Sequence, residues 1–584
     1  MSSVFISNVD DYLAPSQACV NPLFSDSVNQ HKEKANSVDN YSIATVTVTI
    51  PRRKLGQRGK RSLIPIAIVS KPEIAKVSIA DCLACSGCVT TAETVLVEQH
   101  SLATLHTLLL SNNQSTNNTQ QQQQQQQRQQ ICMTLSPASL ADLFRHCQID
   151  TKHILRTKRQ LVTFLSHTCQ ATLVMDGQVP LLWSLVEASR EFTHAYRTNH
   201  NPQTRSDKPI PSIPISEPNH HGPLLSATCP ALVCLVETSH AKAVTQLAST
   251  KSPMSMAGAF YKHTHISSSR LPICHIAIMP CHDKKLEASR KDFISNDNGN
   301  NSTPIPDVDL VLTTRELVQL LHEACGSSNI SDVRLYLEQL DEAPMIDSVQ
   351  LLKSTLTNFD STSAALVVLS TNDKQETHPN SNDFYPYSSG GYADFIFQRA
   401  CQELFDYTLP SGHVPWTPVE RTQRQSARVA NNRLHNQYHV SLFRNADDTY
   451  SCVPSTEASQ PVLSFATAYG RQAMQRILQP QKDETLTYDY VEIMACPSGC
   501  LNGGGQVRLS DREAPSETRL RVIASQAMME PSRSTTRPRV VDSDNVTPFG
   551  IDKHNRMHTQ YHVVPKLQFT IGVTAGIAVQ DTHW

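Results

Sequence analysis

Three thiols recur at two-residue intervals in Asp81-Cys82-Leu83-Ala84-Cys85-Ser86-Gly87-Cys88. That spacing lets one short loop wrap an iron–sulfur cluster, with each sulfur reaching a different iron. The small residues Ala84, Ser86 and Gly87 let backbone N–H groups approach the cluster sulfides, offsetting their negative charge and tuning the potential. A ferredoxin-type run would add a fourth cysteine after three more residues, followed by proline, but Ala92 and Glu93 stand there. A fourth ligand must come from elsewhere, and Cys19, in Pro15-Ser16-Gln17-Ala18-Cys19, is the only other cysteine before Cys132. Structural zinc sites usually pair two C-x-x-C hairpins, and only one cysteine-rich loop exists here, so the spacing favours iron–sulfur over zinc.

Three distant segments carry a second set. Cys229 and Cys234 lie in Ala227–Cys234, and Cys281 lies in Met279-Pro280-Cys281-His282-Asp283-Lys284-Lys285. Cys496 and Cys500 lie in Ala495-Cys496-Pro497-Ser498-Gly499-Cys500-Leu501-Asn502-Gly503-Gly504-Gly505-Gln506. Two thiols at i and i+4 can face one site from the first turn of a helix or from a tight loop. Gly499 and Gly503–Gly505 would let the backbone pass close to a bulky inorganic cofactor, and a helix start would aim N–H groups at an anionic cluster. Cys234 and the remaining cysteines (Cys132, Cys147, Cys169, Cys274, Cys325, Cys401 and Cys452) are scattered, and small buried apolar residues is the reading that suits most of them.

The elements that must position these groups alternate in type. Pro137–Cys147 and His153–Thr168 have helical apolar spacing, with Ser136 as an N-cap for the first. Ile273–Met279 reads as a buried strand ending at a proline and a cysteine. Thr314–Glu323 reads as a helix begun at a threonine cap, and Ala393–Leu404 as one entered through Gly390 and Gly391. Ile43–Ile50 reads as a strand, and Lys76–Ile79 and Ala92–Leu105 flank the first cysteine group. Strands alternating with helices predict an α/β organisation.

Between these blocks lie polar stretches: Ser25–Ser42, Asn112–Gln130, His200–His221, Asn296–Pro306 and Ser510–Asn545. They bury little and read as loop expansions and a linker. Pro51–Arg61 packs six basic residues into eleven; a solvated insertion is the preferred reading over a nucleic-acid or nuclear-localisation patch. With 51 basic and 53 acidic side chains, the net charge of −2 gives no reason to expect nucleic acid or an anionic membrane as the main partner. At 584 residues, two or three packing units are expected. No secretory signal or run of about 20 apolar residues is evident, so a soluble intracellular protein is expected, in which sixteen cysteines are read as metal ligands or core rather than disulfides.

The motifs resemble those of the iron-only hydrogenase superfamily, in its eukaryotic branch of cytosolic iron–sulfur assembly factors (the prelamin-A-recognition-factor-like proteins). The matching pieces are D-Y-L-A-P-S-Q-A-C from Asp11, D-C-L-A-C-S-G-C from Asp81, M-P-C-H-D-K-K-L-E-A from Met279, S-S-G-G-Y-A from Ser388, A-Y-G-R-Q from Ala468, A-C-P-S-G-C-L-N-G-G-G-Q from Ala495 and Q-Y-H-V-V-P-K from Gln560. The resemblance implies an α/β, two-lobed hydrogenase-like domain over 132–565, interrupted near 200–221, 296–306 and 510–545. It would follow a cluster-binding region over 1–110 and a linker over 111–131, and precede a tail over 566–584. It implies one [4Fe–4S] cluster on Cys19, Cys82, Cys85 and Cys88, and a second on Cys229, Cys281, Cys496 and Cys500. In true hydrogenases the residue matching Cys500 also bridges to a catalytic di-iron unit, and Lys284 matches the lysine that contacts that unit's cyanides.

Departures from the hydrogenase pattern then set the function. True hydrogenases carry a second, proton-transferring cysteine where this chain has Thr228, whose hydroxyl does not ionise near neutrality. The Pro-Gly-Trp that usually follows is Pro230-Ala231-Leu232, and the accessory cysteine runs that feed electrons into many hydrogenases are missing. Hydrogen turnover is therefore not expected. The resemblance implies instead a non-catalytic carrier or adaptor in the cytoplasm, with the nucleus as a second location. It would sit between a cluster scaffold and a targeting complex with a WD-repeat propeller subunit. The terminal Trp584, here preceded by His583 where an acidic residue is usual, would dock on that complex. A residual hydrogenase-type redox enzyme and a nuclear prelamin-binding protein are the alternatives.

Overall fold

The computed structural model describes residues 96–114, 128–200, 222–263, 271–295, 305–345, 389–410, 414–420, 433–454, 459–479, 488–507 apart from 498, and 556–564. Cys19, Cys82, Cys85, Cys88, Trp584, the strand expected over Ile43–Ile50 and most of the segments read as insertions lie outside these residues.

Four apolar runs form the first sheet: β1 (Gln130–Leu135), β2 (Ala171–Asp176), β4 (Ile273–Met279) and β7 (Leu310–Thr313). The strand order is β2-β1-β4-β7 and every pairing is parallel. A parallel sheet has both faces covered, so its strands read as nearly unbroken hydrophobic runs rather than alternating ones, as Ile-Cys-His-Ile-Ala-Ile-Met in β4 shows. Helices α1 (Leu102–Gln114), α2 (Pro137–His146), α3 (Ile154–Thr168) and α8 (Thr314–Cys325) share one core cluster with it.

Local signals explain the helix limits. Thr313 caps α8 by accepting from Glu316 N–H, Glu316 reaches back to Thr313 N–H, and Gly326 ends the helix at φ +67. Pro137 opens α2, whereas Ser136 has cap-like dihedrals but no capping side-chain bond. The helix expected over Ala393–Leu404 is α10 (Tyr392–Phe405), entered from Gly391 at φ +76.

A second, mixed sheet was not anticipated. It comprises β3 (Leu224–Leu225), β8 (Thr417–Glu420), β9 (Arg433–Arg444), β10 (Tyr450–Ser451), β11 (Gln460–Tyr469) and β12 (Tyr490–Met494). The order is β10-β9-β11-β12-β3, with β8 on β9; β3, β12 and β11 run parallel, and β9 is antiparallel to its neighbours. The long helix α4 (Gln178–His200) packs on α10 and supplies apolar side chains to the second core, while helix α6 (Pro253–His263) backs the first sheet. A two-strand pair, β5 (Ile294–Ser295) and β6 (Ile305–Pro306), stands apart.

Of the scattered cysteines, Cys132, Cys147, Cys169, Cys274 and Cys401 are buried, as small apolar residues are. Two polar features reach into the interior. Lys251 donates to Asp307 at 2.7 Å with both side chains essentially inaccessible. Residues 556–564 form a strap in which Met557 is wholly buried and His558 bonds Glu187 at 3.0 Å and Ser249 at 2.8 Å.

Candidate metal centre

Cysteines follow the carboxyl ends of three parallel strands. Cys281 lies two residues past β4 and Cys496 two residues past β12; Cys229, just beyond β3, is the N-cap of helix α5 (Pro230–Ser239). Cys500 opens a single 3-10 turn, Cys500–Asn502, so the i, i+4 thiols come from a tight loop and not from a helix start. In open α/β sheets the crevice beyond the strand ends is where ligands bind. Here the first sheet contributes one thiol and the second sheet three.

The thiols feel one another. Burial pushes the Cys500 thiol up to about 12, with the charge of Cys229 adding and Lys284 opposing. Burial likewise raises Cys281, and Asp283, Cys500 and Cys229 raise it further against Lys284. Cys229 is raised by burial and Asp283, while Ala495 N–H reaches its sulfur at 3.5 Å. The bare thiols of Cys229, Cys281 and Cys500 hold their protons at neutral pH, so ligation by a metal must displace them. Among the described residues no three His, Cys, Asp or Glu side chains converge as ligands of one ion must. A single zinc would need all its ligands at about 2.0–2.3 Å, whereas a cubane sets each thiol on a separate iron and takes a wider set.

The glycine run packs against protein. A Cβ on Gly503 would fall 2.3 Å from the Pro280 carbonyl oxygen, and one on Gly505 2.8 Å from Thr313 Cγ2. Gly505 N–H donates to Pro280 O at 2.9 Å, clamping this loop onto the segment that carries Cys281. Farther along, Val507 N–H donates to Asp142 at 2.6 Å, and Arg145, paired with Asp142, donates to Val507 O at 2.7 Å. The glycines thus let two cysteine-bearing segments touch, rather than opening space at Gly503 and Gly505 for a cofactor. Gly499, at φ +88 and ψ −171, is the position where only glycine fits the turn.

A polar shell surrounds the cysteines. Lys284 Nζ donates to Thr228 O at 3.1 Å and to Glu287 at 2.5 Å. Glu287 also accepts from Ser252 and Ser255. Glu492, on β12, is buried and accepts from Ser389, from Ala393 N–H at 2.6 Å and from Tyr469 at 3.2 Å.

Residues 129–504 match the model of the iron only hydrogenase large subunit, C-terminal domain. The chain belongs to this family. It is 29% identical to Cytosolic iron-sulfur assembly component 3 of Rattus norvegicus, across 97% of this chain and 98% of that protein. Identity to Protein NAR1 of Arabidopsis thaliana is also 29%, across 96% of each. The apo [FeFe]-hydrogenase HydA1 from Chlamydomonas reinhardtii shares the fold, with a TM-score of 0.51 at 17% identity over 78% of this chain and 99% of that one.

Within this family fold, Lys284 is committed to an internal carboxylate, and the Thr228 hydroxyl sits against Ser226 at 3.1 Å. Sequence reading named both residues and the four cysteines but assigned no role to Glu492, Glu287, Ser389 or Tyr469. Ser389 and Tyr469 lie inside the S-S-G-G-Y-A and A-Y-G-R-Q pieces; a buried glutamate in an otherwise apolar β12 was the available signal.

Gly503→Ala tests the clamp cleanly, because Gly503 has φ −62, which alanine accepts, so the cost is steric. Its collision is with a backbone oxygen that cannot rotate away. We expect about 1–3 kcal/mol of destabilisation, read as a lower thermal midpoint together with faster bleaching of any cluster absorbance. A wild-type midpoint would mean that the two segments separate at no cost.

Proposed function

We propose that this chain is a non-enzymatic component of cytosolic iron–sulfur protein assembly. It carries two [4Fe–4S] clusters and acts between the scaffold that builds clusters and the targeting complex that delivers them to cytosolic and nuclear apoproteins. The observation that carries this reading is the set of cysteines just beyond the strand ends, of which Cys229, Cys281 and Cys500 feel one another's charge, with Thr228 at the proton-relay position beside them. The name of the Rattus norvegicus relative, Cytosolic iron-sulfur assembly component 3, points the same way.

The donor set fits a cubane: thiols alone, drawn from separate segments. Cys229, Cys281, Cys496 and Cys500 would hold the second cluster, which supplies one-electron redox chemistry and a transferable iron–sulfur unit when bound. Cys19, Cys82, Cys85 and Cys88 would hold the first. Cys229 and Cys496 are buried, and Lys284 contributes positive charge beside three of the thiols. Trp584 would dock on the WD-repeat propeller subunit of the targeting complex.

Depletion of the protein from cells should lower the activity of cytosolic [4Fe–4S] enzymes and leave mitochondrial ones unchanged. Wild-type chain should restore them, whereas chains lacking Trp584 should restore them poorly while keeping about eight irons each. No more than about four irons in the anaerobically purified wild type would end the two-cluster reading. Hydrogen evolution from reduced viologen would move the protein to the enzymes.

A further inference from the structure

We propose that Glu492 is a proton-binding site coupled to the second cluster, so that an electron entering that cluster is accompanied by a proton taken up on the Glu492 carboxylate. The proposal rests on the second-cluster reading and adds a residue and a chemical event to it.

The geometry is that of a carboxyl group kept ready to titrate. Glu492 is 1% exposed, on the strand that runs directly into Cys496. Its hydrogen bonds are all from neutral donors: the Ser389 hydroxyl, the Tyr469 hydroxyl and the N–H of Ala393 at the start of α10. Among the described residues no Lys, Arg or His lies within ion-pairing distance of it, so nothing fixes its charge as a salt bridge would. The groups that share its field are acidic or phenolic. Asp394 and Tyr392 lie on α10, Tyr469 on β11, Tyr490 on β12, and Cys500 in the loop beyond. Ser389 also bonds Tyr469 at 3.0 Å, so two hydroxyls converge on the carboxylate and can pass a proton to it.

Burial outweighs these donors and lifts the Glu492 carboxyl to about 7, with Asp394 adding to the rise. Glu492 raises the proton affinity of Cys500, and by the same repulsion added negative charge among the thiols favours protonated Glu492. The event balances simply. A low-potential one-electron donor gives the cluster an electron, and an O–H bond of a buffer acid in bulk solvent breaks as its proton forms an O–H bond on one Glu492 oxygen, leaving the conjugate base in solution.

The test is a redox titration of full-length protein with dithionite and mediators from pH 6 to pH 9, followed by electron paramagnetic resonance. The Cys82→Ala background removes the first cluster's signal. The midpoint potential should fall as pH rises, with a slope of one proton per electron over part of that range. In Glu492→Gln at equal iron content the slope should vanish. Ser389→Ala removes a donor to the carboxylate, so the sloping region should move to higher pH; this variant serves if Glu492→Gln does not fold. A loaded wild-type protein with a flat potential, or an unchanged slope in Glu492→Gln, overturns the proton site while leaving the cluster reading intact. Protein that never acquires four irons in the Cys82→Ala background overturns both.

Discussion

Cys496→Ala should cost the protein about half of its iron and, with it, much of the stability of the larger domain. Cys229, Cys281, Cys496 and Cys500 come from three segments separated by long stretches of chain, at the ends of strands in two sheets. Without the cluster, the contacts between these segments reduce to the glycine clamp and the polar shell. A structural metal contributes on the order of 10 kcal/mol to a site that does not exist in the unfolded chain. The thermal midpoint should therefore drop by about 10 °C or more. Cys82→Ala should also lose about half of the iron but leave the midpoint of the larger domain within a few degrees of wild type. Equal drops in the two variants, or none in Cys496→Ala, would show that the second group does not hold the domain together.

Asp307→Ala is expected to be the most damaging substitution away from cysteine. It would leave Lys251, 0% exposed, without its 2.7 Å partner. Water cannot easily fill the space. The Asp307 carbonyl meets His275 Nδ1, a Cβ placed on Gly258 would lie 1.8 Å from that carbonyl, and Lys251 O accepts from Ser184. Breaking a buried pair on one side costs about 3–5 kcal/mol, whereas replacing both partners by apolar groups is often nearly neutral. Denaturant melts should show that loss for Asp307→Ala and recovery of most of it in the Lys251→Met, Asp307→Leu double variant. Damage would also spread to the site, since the neighbouring Ser252 donates to Glu287, the carboxylate that holds Lys284. A loss below about 1 kcal/mol would mean that the pair is solvated in solution.

What the sequence made legible was the part governed by local pattern. Ile273–Met279 is the strand expected, because a doubly covered parallel strand needs a continuous apolar run. The helices Pro137–His146 and Thr314–Cys325 were marked by apolar spacing and by a threonine cap, although Ser136, expected to cap the first, makes no capping bond. The cysteine spacing and L-N-G-G-G-Q named the candidate site, though not why its glycines are small: Gly503 and Gly505 make room for Pro280 and Thr313, contacts no local pattern contains. The second sheet was missed because β9, Arg-Leu-His-Asn-Gln-Tyr-His-Val-Ser-Leu-Phe-Arg, is too polar to stand out, and its order comes from pairing with β11. Glu492 and the Lys251–Asp307 pair were invisible for a related reason. A buried charge is recognised by what surrounds it, and the surrounding groups come from distant parts of the chain.

The strap bears on how the chain responds to a load. His562 N–H donates to the Glu237 carboxylate and Val564 N–H to the Glu237 carbonyl, near the end of α5, the helix that starts at Cys229. The same carboxylate is gripped by both terminal nitrogens of Arg290, each at 2.7 Å, just beyond helix α7 (Asp283–Ala288), which begins two residues after Cys281. Traction on the chain beyond Val564 is thus delivered to one anchor shared by the two helices that lead from Cys229 and Cys281. The buried His558–Glu187 contact lies upstream as a second stop. A pull that overcame the first anchor would slacken the lever on two thiols at once, while Cys496 and Cys500, carried on the loop after β12, would stay in place.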